Sequence, residues 1–463
     1  MDLTDLGVVD AARLIAARKL SPVELTEACL ARIEALDGKV NAVLRLLPER
    51  AMAAARRAEA EIMRDGPRSV LHGVPYALKD IIDLEGVPTT AHSRVLADAP
   101  PAAAHAPVAA RLERAGGVCL AKLSTWEFAV GGPSFDLPWP PARNPWDLER
   151  TPGGSSSGSG AGVAARFFPA ALGTDTGGSI RNPAAACGIV GLKPTYGRVP
   201  LRGVVPLSTS LDHVGPMTRT VADNAALLEL IAGHDPDDPT TATLAAPKFT
   251  AGLGAGVKGM RIGVIRHFWE RDGEADPEVA AAIEAALQVY RDLGAELVDI
   301  ELAPLPEYVA CLRPIMASEA YAWHRKHLES NGNAYGALAR DRIGAGAKLN
   351  PADYLDAMEA RKRLQAAFGE AMRGVEAALT IVTLAPPPRF DDTDGLARSF
   401  SLEGRPPFNI VRAPALAMPM GATKTGLPLS IQVIGHHFDE ATVYRVAAAY
   451  EAETEWTKRK PAL

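Results

Sequence analysis

Cysteine is scarce in this chain, and what there is does not pair. Cys29, Cys119, Cys187 and Cys311 are scattered, with no C-x-x-C spacing and no histidine pair beside them, which argues against both a disulfide framework and a zinc-type site. Cys187, with Ala186 and Ile189 as neighbours, reads as a small buried side chain rather than a nucleophile. Basic residues are in deficit: 49 Lys and Arg stand against 55 Asp and Glu, a net charge of -6 that gives no basic footprint for nucleic acid. Nowhere is there the uninterrupted run of roughly 20 apolar residues that a membrane helix needs. The first residues carry Asp2 and Asp5 where a secretory leader would be positive. These absences lead us to expect a cytoplasmic protein with no membrane, nucleic-acid or structural-zinc partner. A composition of 47% hydrophobic and 22% charged residues over 463 positions supplies ample material for a large core.

Glycine and serine, by contrast, are concentrated. Residues 153–183 read GGSSSGSGAGVAARFFPAALGTDTGGSIRNP, two Gly/Ser clusters around a short apolar segment. In the second cluster, glycine permits positive φ and lets a ligand approach amide N–H groups that a Cβ would shield. Convergent amides of that kind hold the negative charge that develops on a carbonyl oxygen during acyl transfer. Ser179 ends the run and is the candidate nucleophile. A phosphate loop is disfavoured because neither cluster ends in the lysine-serine pair such a loop uses. A flexible linker is disfavoured because the first cluster leads directly into apolar AGVAARFF.

Serine is a weak nucleophile without a base. In HGVPYALKDIID, Val74 to Leu78 read as a short strand with Lys79 at its end. A lysine acts as a base only when neutral, which requires burial among polar groups and away from carboxylates that would hold its proton. Serine-rich surroundings meet that condition.

The combination GVPYALKD, then PGGSSSGSGAGVAA, then ALGTDTGGSIRNPAAACGIVGLKPTYGRVP resembles the amidase signature family of serine hydrolases. The likeness runs from the N-terminal helices to FDEATVYRVAAAYE and is weakest between about 240 and 405. It implies Lys79 as the base, Ser155 as a bridging serine held by a cis peptide bond, and Ser179 as the nucleophile. The amides of Thr176, Gly177, Gly178 and Ser179 become the oxyanion donors. Ser156, Asp175 and Arg181 become supports of the glycine loop, and Ala129 and Gly131 border the substrate. The resemblance also implies a serine hydrolase that needs no metal or organic cofactor.

Around this core the patterning is α/β. SPVELTEACLARIEALD carries a capping box, Ser21 with Glu24, a proline at the first helical position, and an apolar stripe of Leu25, Cys29, Ile33 and Leu36. A second helix, PERAMAAARRAEAEIMRDG, ends near Gly66. Strands at Val74–Lys79 and Val118–Leu123 with a helix from Pro107 to Ala115 between them imply a parallel pair. LTIVTL and SIQVIG continue the alternation, so a large mixed sheet with helices on both faces is expected. We expect one catalytic domain over 1–463, with a helical cap at 1–66, a signature core at 70–225, a variable helical region at 240–405 and a return to the core at 406–455. In the variable region MRIGVI, a helix and ELVDIEL suggest an inserted layer; His267, His324 and His327 read as hydrogen-bonded or surface residues rather than ligands.

The segment 131–147, GGPSFDLPWPPARNPWD, has five prolines and three large aromatics. Phe135, Trp139 and Trp146 either wall an apolar pocket or anchor a stiff loop, Asn144-Pro145-Trp146 matching a framework element of the family. The first option makes Phe135 a substrate contact. It also implies an amidase for aryl or apolar carboxamides, extending to aryl esters and carbamates, that meets only small molecules, a homodimer being left open. The rival of the same family is the glutaminase (A-type) subunit of a tRNA-dependent amidotransferase, disfavoured because this proline-rich segment replaces the loop expected there. A non-catalytic binding protein is disfavoured because Lys79, Ser155 and Ser179 are all retained.

Overall fold

The computed structural model describes residues 2–399 and 403–463. The variable region 240–405 therefore includes three residues outside the described set.

Helix boundaries follow local chemistry. Helix 22–40 begins at the expected capping box, with Ser21 Oγ accepting from the amides of Val23 and Glu24 and the Glu24 carboxylate accepting from Ser21 N–H. Leu25, Cys29 and Ile33 are buried and Leu36 half-buried, as the stripe predicts. Helix 48–65 has Pro48 in its first turn and stops at Gly66, whose φ of 80° lies in the region that favours glycine.

Among the described residues, eleven strands form one sheet: β1 (Val43–Leu46), β2 (Pro75–Lys79), β3 (Val118–Leu123), β4 (Ala170–Thr174), β5 (Val190–Lys193), β6 (Val214–Thr218), β7 (Arg261–Val264), β8 (Glu296–Asp299), β9 (Ala377–Ile381), β10 (Ala415–Ala422) and β11 (Pro428–Gly435). Their spatial order is β1-β3-β2-β4-β6-β5-β10-β11-β9-β7-β8. β2 is parallel to β3 and β4, as the strand-helix-strand reading requires, with helix 107–114 between β2 and β3. From β4 through β6, β5, β10, β11 and β9 the pairs are antiparallel, and β7 is again parallel to β9 and β8. The sheet is mixed. Strands β2, β3 and β11 are buried along their whole length, including the polar Lys79, Lys122, Ser430 and Gln432 that they carry among apolar residues.

The strand pair expected as an inserted layer instead extends this sheet. β9 joins β11 to β7, so β7 and β8 form its far edge. A second apolar cluster, including Leu305, Tyr308, Leu312, Ile315, Leu364 and Phe368, packs helices 305–331 and 351–371 together. Among the described residues, no helix is long and apolar enough to cross a membrane.

Candidate active site

β2 and β4 lie side by side with Leu78 opposite Leu172, so their C-terminal residues, Lys79 and Thr174, emerge at the same sheet edge. Lys79 is fully buried; its Nζ donates to Ser155 Oγ at 2.7 Å and to Thr174 Oγ1 at 2.8 Å. Burial disfavours the ammonium and lowers its pKa from 10.5 to about 7, although Asp212 and Asp175 pull it upward. A group poised near neutrality suits a general base.

Ser155 follows a cis peptide bond from Gly154. Its carbonyl accepts from Trp126 N–H at 3.2 Å and from Ser157 N–H at 2.7 Å. Only glycine fits at 154, because a Cβ there would stand 2.1 Å from the Trp126 ring. Ser156 ties the two Gly/Ser clusters together. Its amide donates to Ser179 O at 3.2 Å, while its hydroxyl donates to Thr174 O at 3.2 Å and accepts from Thr174 N–H at 3.1 Å.

The glycine loop is held from below by Asp175. Oδ1 accepts from Gly178 N–H at 2.7 Å and Oδ2 from Ile180 N–H at 3.1 Å, and Arg181 meets both oxygens at 3.0 and 3.1 Å. Burial pushes this carboxyl's pKa up, but the Arg181 guanidinium, then Asn409 and Lys193, outweigh it and hold the group well below the usual carboxylate range. One consequence corrects an expectation: the Gly178 amide is already spent on Asp175. Thr176, Gly177 and Ser179 remain as candidate oxyanion donors. Thr176 is itself fixed by a 2.6 Å bond from Oγ1 to Asp212 Oδ1.

Three partners of this brace lie far along the chain. Arg181 Nη1 donates to Arg405 O at 2.8 Å and Gln432 Oε1 at 2.6 Å, and Nη2 to Asn409 Oδ1 at 2.6 Å. No local pattern marked Asn409, Gln432 or Arg405. Thr174 was detectable, standing in the GTDTGGS run of the second Gly/Ser cluster.

Lys79 and Ser155 are sealed off, whereas Ser179 and Gly177 are partly accessible. Both line a cavity of about 490 Å³. Ala129, Gly131 and Gly154 line it too, as do Thr176 and Gly178, so the expected substrate-bordering positions converge there. Val309, Leu312 and Met316 of helix 305–331 form an apolar wall; Arg313, Glu403 and Arg405 add charge.

Phe135 does not belong to this cavity. It is 61% exposed and packs edge-on against Phe390, 5.4 Å between ring centroids. Trp139 packs against His92, and Trp146 donates from its indole to Cys187 O at 2.8 Å. The aromatics of 131–147 are therefore loop anchors. Of the histidines, His267 bonds Asp272 and His324 bonds the Tyr335 hydroxyl.

The amidase family model matches residues 24–444. The chain belongs to the amidase signature family. It is 42% identical to the A-type subunit of glutamyl-tRNA(Gln) amidotransferase from Chloroflexus aurantiacus, over 100% of this chain and 99% of that one. Among solved structures, the corresponding A-type subunit from Thermotoga maritima superposes with a TM-score of 0.82 at 32% identity, covering 98% and 96% of the two chains. A chain from a vestigial protein complex that bears on the origins of an s-triazine catabolic enzyme superposes with a TM-score of 0.90 at 31% identity, covering 97% and 98%. The amidase is thus an amide-hydrolysing enzyme.

These relatives overturn the expectation of an amidase that meets small molecules alone. Several are subunits of glutamyl-tRNA(Gln) amidotransferases, and one neighbour was solved as a complex. A net charge of -6 describes only a chain's own field, so it does not exclude a place in a complex whose other members contact RNA.

Proposed function

We propose that this amidase is the glutaminase (A-type) subunit of a tRNA-dependent amidotransferase, releasing ammonia from glutamine at Ser179. The observation that carries the reading is the end-to-end likeness, at 42% identity, to A-type subunits of glutamyl-tRNA(Gln) amidotransferases, combined with the buried 2.7 Å contact between Lys79 and Ser155.

In the proposed mechanism Lys79 is neutral. Ser155 passes its proton to Lys79 Nζ and takes the proton of Ser179, whose Oγ attacks the carboxamide carbon. The oxyanion is received by amides of the Thr176–Ser179 loop. Collapse breaks the C–N bond as the same relay returns a proton to nitrogen, and ammonia leaves. Water then attacks the acyl-enzyme, giving up its proton to the relay, and the carboxylic acid departs with Ser179 restored.

The test is ammonia and glutamate formation from glutamine by the purified chain, alone and with the other subunits of such a complex. Copurification of those subunits and a rise in turnover on adding them are expected. No glutamine hydrolysis under either condition ends this reading.

A second reading is favoured by the apolar wall of Val309, Leu312 and Met316. On it, the acyl-transfer site serves amides with apolar or aryl groups, and carbamates or esters sharing the same carbonyl chemistry. Anilides and aryl carbamates exceeding glutamine in kcat/KM would select it.

A further inference from the structure

The turn that carries Ala129 into the Ser179 cavity is strained. Phe128 and Ala129 have φ of 48° and 63°, a left-handed region that residues bearing a Cβ occupy only where their surroundings impose it. Gly131 follows with φ of 95°, and Ala129, Val130 and Gly131 all line the cavity. Something must hold this turn in place.

Part of the hold is apolar. Phe128 stands edge-on to His324, 4.4 Å between ring centroids, with Tyr335 at 5.5 Å. The polar part is Glu127. It is 1% exposed and is not itself on the cavity wall. Its Oε1 accepts from Ser93 Oγ at 2.5 Å and its Oε2 from Gly336 N–H at 2.9 Å.

Both partners lead back to the site. Ser93 closes a segment tied to the end of β2: Thr90 N–H and Oγ1 donate to Asp80 Oδ2 at 3.0 and 2.5 Å, and Asp80 follows Lys79. Gly336 precedes helix 337–344, which returns to the cavity. Leu338 of that helix lies 3.2 Å from where a Cβ on Gly131 would stand, and Arg342 and Ala345 line the cavity. One carboxyl thus joins the segment beside the catalytic lysine, the strained turn and a helix of the variable region. Burial raises its pKa to about 7, while the Ser93 hydroxyl, the Gly336 amide and Arg94 draw it down. An acid kept at that cost fixes two donors in directions that no apolar side chain would hold.

We infer that Glu127 is a positioning residue: by clamping the turn 126–131 to the start of helix 337–344 it sets the shape of the Ser179 cavity without touching the reacting atoms. The inference rests on Ser179 as the site of acyl transfer and not on glutamine as the substrate.

The experiment follows inactivation of the full chain by phenylmethanesulfonyl fluoride, and separates KI, which reports fit in the cavity, from kinact, which reports the relay. The readout is independent of which amide the enzyme turns over. Glu127→Ala should raise KI about 10-fold and leave kinact within about twofold, because the wall is no longer preorganised while Lys79, Ser155 and Ser179 remain. Glu127→Gln can donate to Ser93 Oγ and accept from Gly336 N–H, so it should return KI to within about threefold of the wild-type value. Gly336→Ala tests the clamp from its other side. Its backbone, at φ -64° and ψ 149°, accepts alanine, but the new Cβ would stand 2.9 Å from Glu127 Oε2, so KI should rise with Glu127 still present. A residue that only supports the fold would lower the fraction of protein that reacts and leave both constants of the reacting fraction unchanged. An unchanged KI in Glu127→Ala, or in Gly336→Ala where Glu127→Ala does not fold, therefore overturns the inference. A Glu127→Gln variant as poor as Glu127→Ala also overturns it, since charge rather than hydrogen-bond geometry would then be the requirement.

Discussion

Lys79 Nζ reaches Thr174 Oγ1 at 2.8 Å as well as Ser155 Oγ at 2.7 Å, both within a fully buried site. A neutral amine has two N–H donors and one lone pair. With Thr174 taking an N–H, the lone pair is free to accept from the Ser155 hydroxyl, which can rotate to donate. Thr174 thus orients the base, and removing its hydroxyl also removes a stabiliser of the ammonium. Thr174→Val should lower kcat about 10-fold and move the rising limb of the pH profile to lower pH. A fall in kcat with no movement of the limb would mean that Thr174 only packs the site.

The pKa of Lys79, lowered to about 7 by burial, sets the shape of that profile. The base is active when deprotonated, so kcat/KM should rise through about pH 7 and level off above it. The linkage to stability has the same sign. Between about 7 and 10.5 the unfolded chain holds the extra proton, so the stability contributed by this site rises with pH across that window, and the full penalty is present below it. Lys79→Met should abolish the limb and cut amide turnover by orders of magnitude. It should also raise the melting temperature more at pH 7 than at pH 10, measured by calorimetry.

Access distinguishes the two serines. Ser155 is buried and Ser179 is partly accessible on the cavity wall. A sulfonyl fluoride should label Ser179, with peptide mapping as the readout, and label nothing in Ser179→Ala. A label on Ser155 would exchange the proposed roles.

Arg181 and Asp175 form a buried pair at 3.0 Å, both side chains inaccessible. Removing one partner leaves an uncompensated charge beneath the glycine loop. Arg181→Met should therefore destabilise the fold by about 3–5 kcal/mol in urea denaturation. A loss under about 1 kcal/mol would show that Asp175 takes up a proton or is satisfied by Asn409 alone.

Phe135 is exposed and pairs with Phe390 outside the cavity. Phe135→Ala should change kcat/KM less than about twofold for any amide, since surface contacts of this kind contribute within about 0.5 kcal/mol. A shift in substrate preference would return this segment to the pocket.

What was legible in the chain was what short-range chemistry decides. Ser21 and Glu24 cap a helix because they are three residues apart, and the buried strand of Pro75–Lys79 shows as an apolar run. Lys79, Ser155 and Ser179 stand in dense motifs whose resemblance to the family singled them out without any knowledge of the fold. Long-range geometry was not legible. Arg181 meets Arg405, Asn409 and Gln432, each more than 220 positions away, and nothing local encodes which distant polar atom will satisfy a buried guanidinium. Nor did sequence say where side chains point: Phe135 lies near Gly131 in the chain yet turns to Phe390, while Val309, Leu312 and Met316 arrive from a separate helix to wall the cavity. Nearness along the chain selects local conformation through torsional and capping energies, whereas the composition of a cavity is settled by which faces the packed elements turn toward one another, and that depends on the whole core at once.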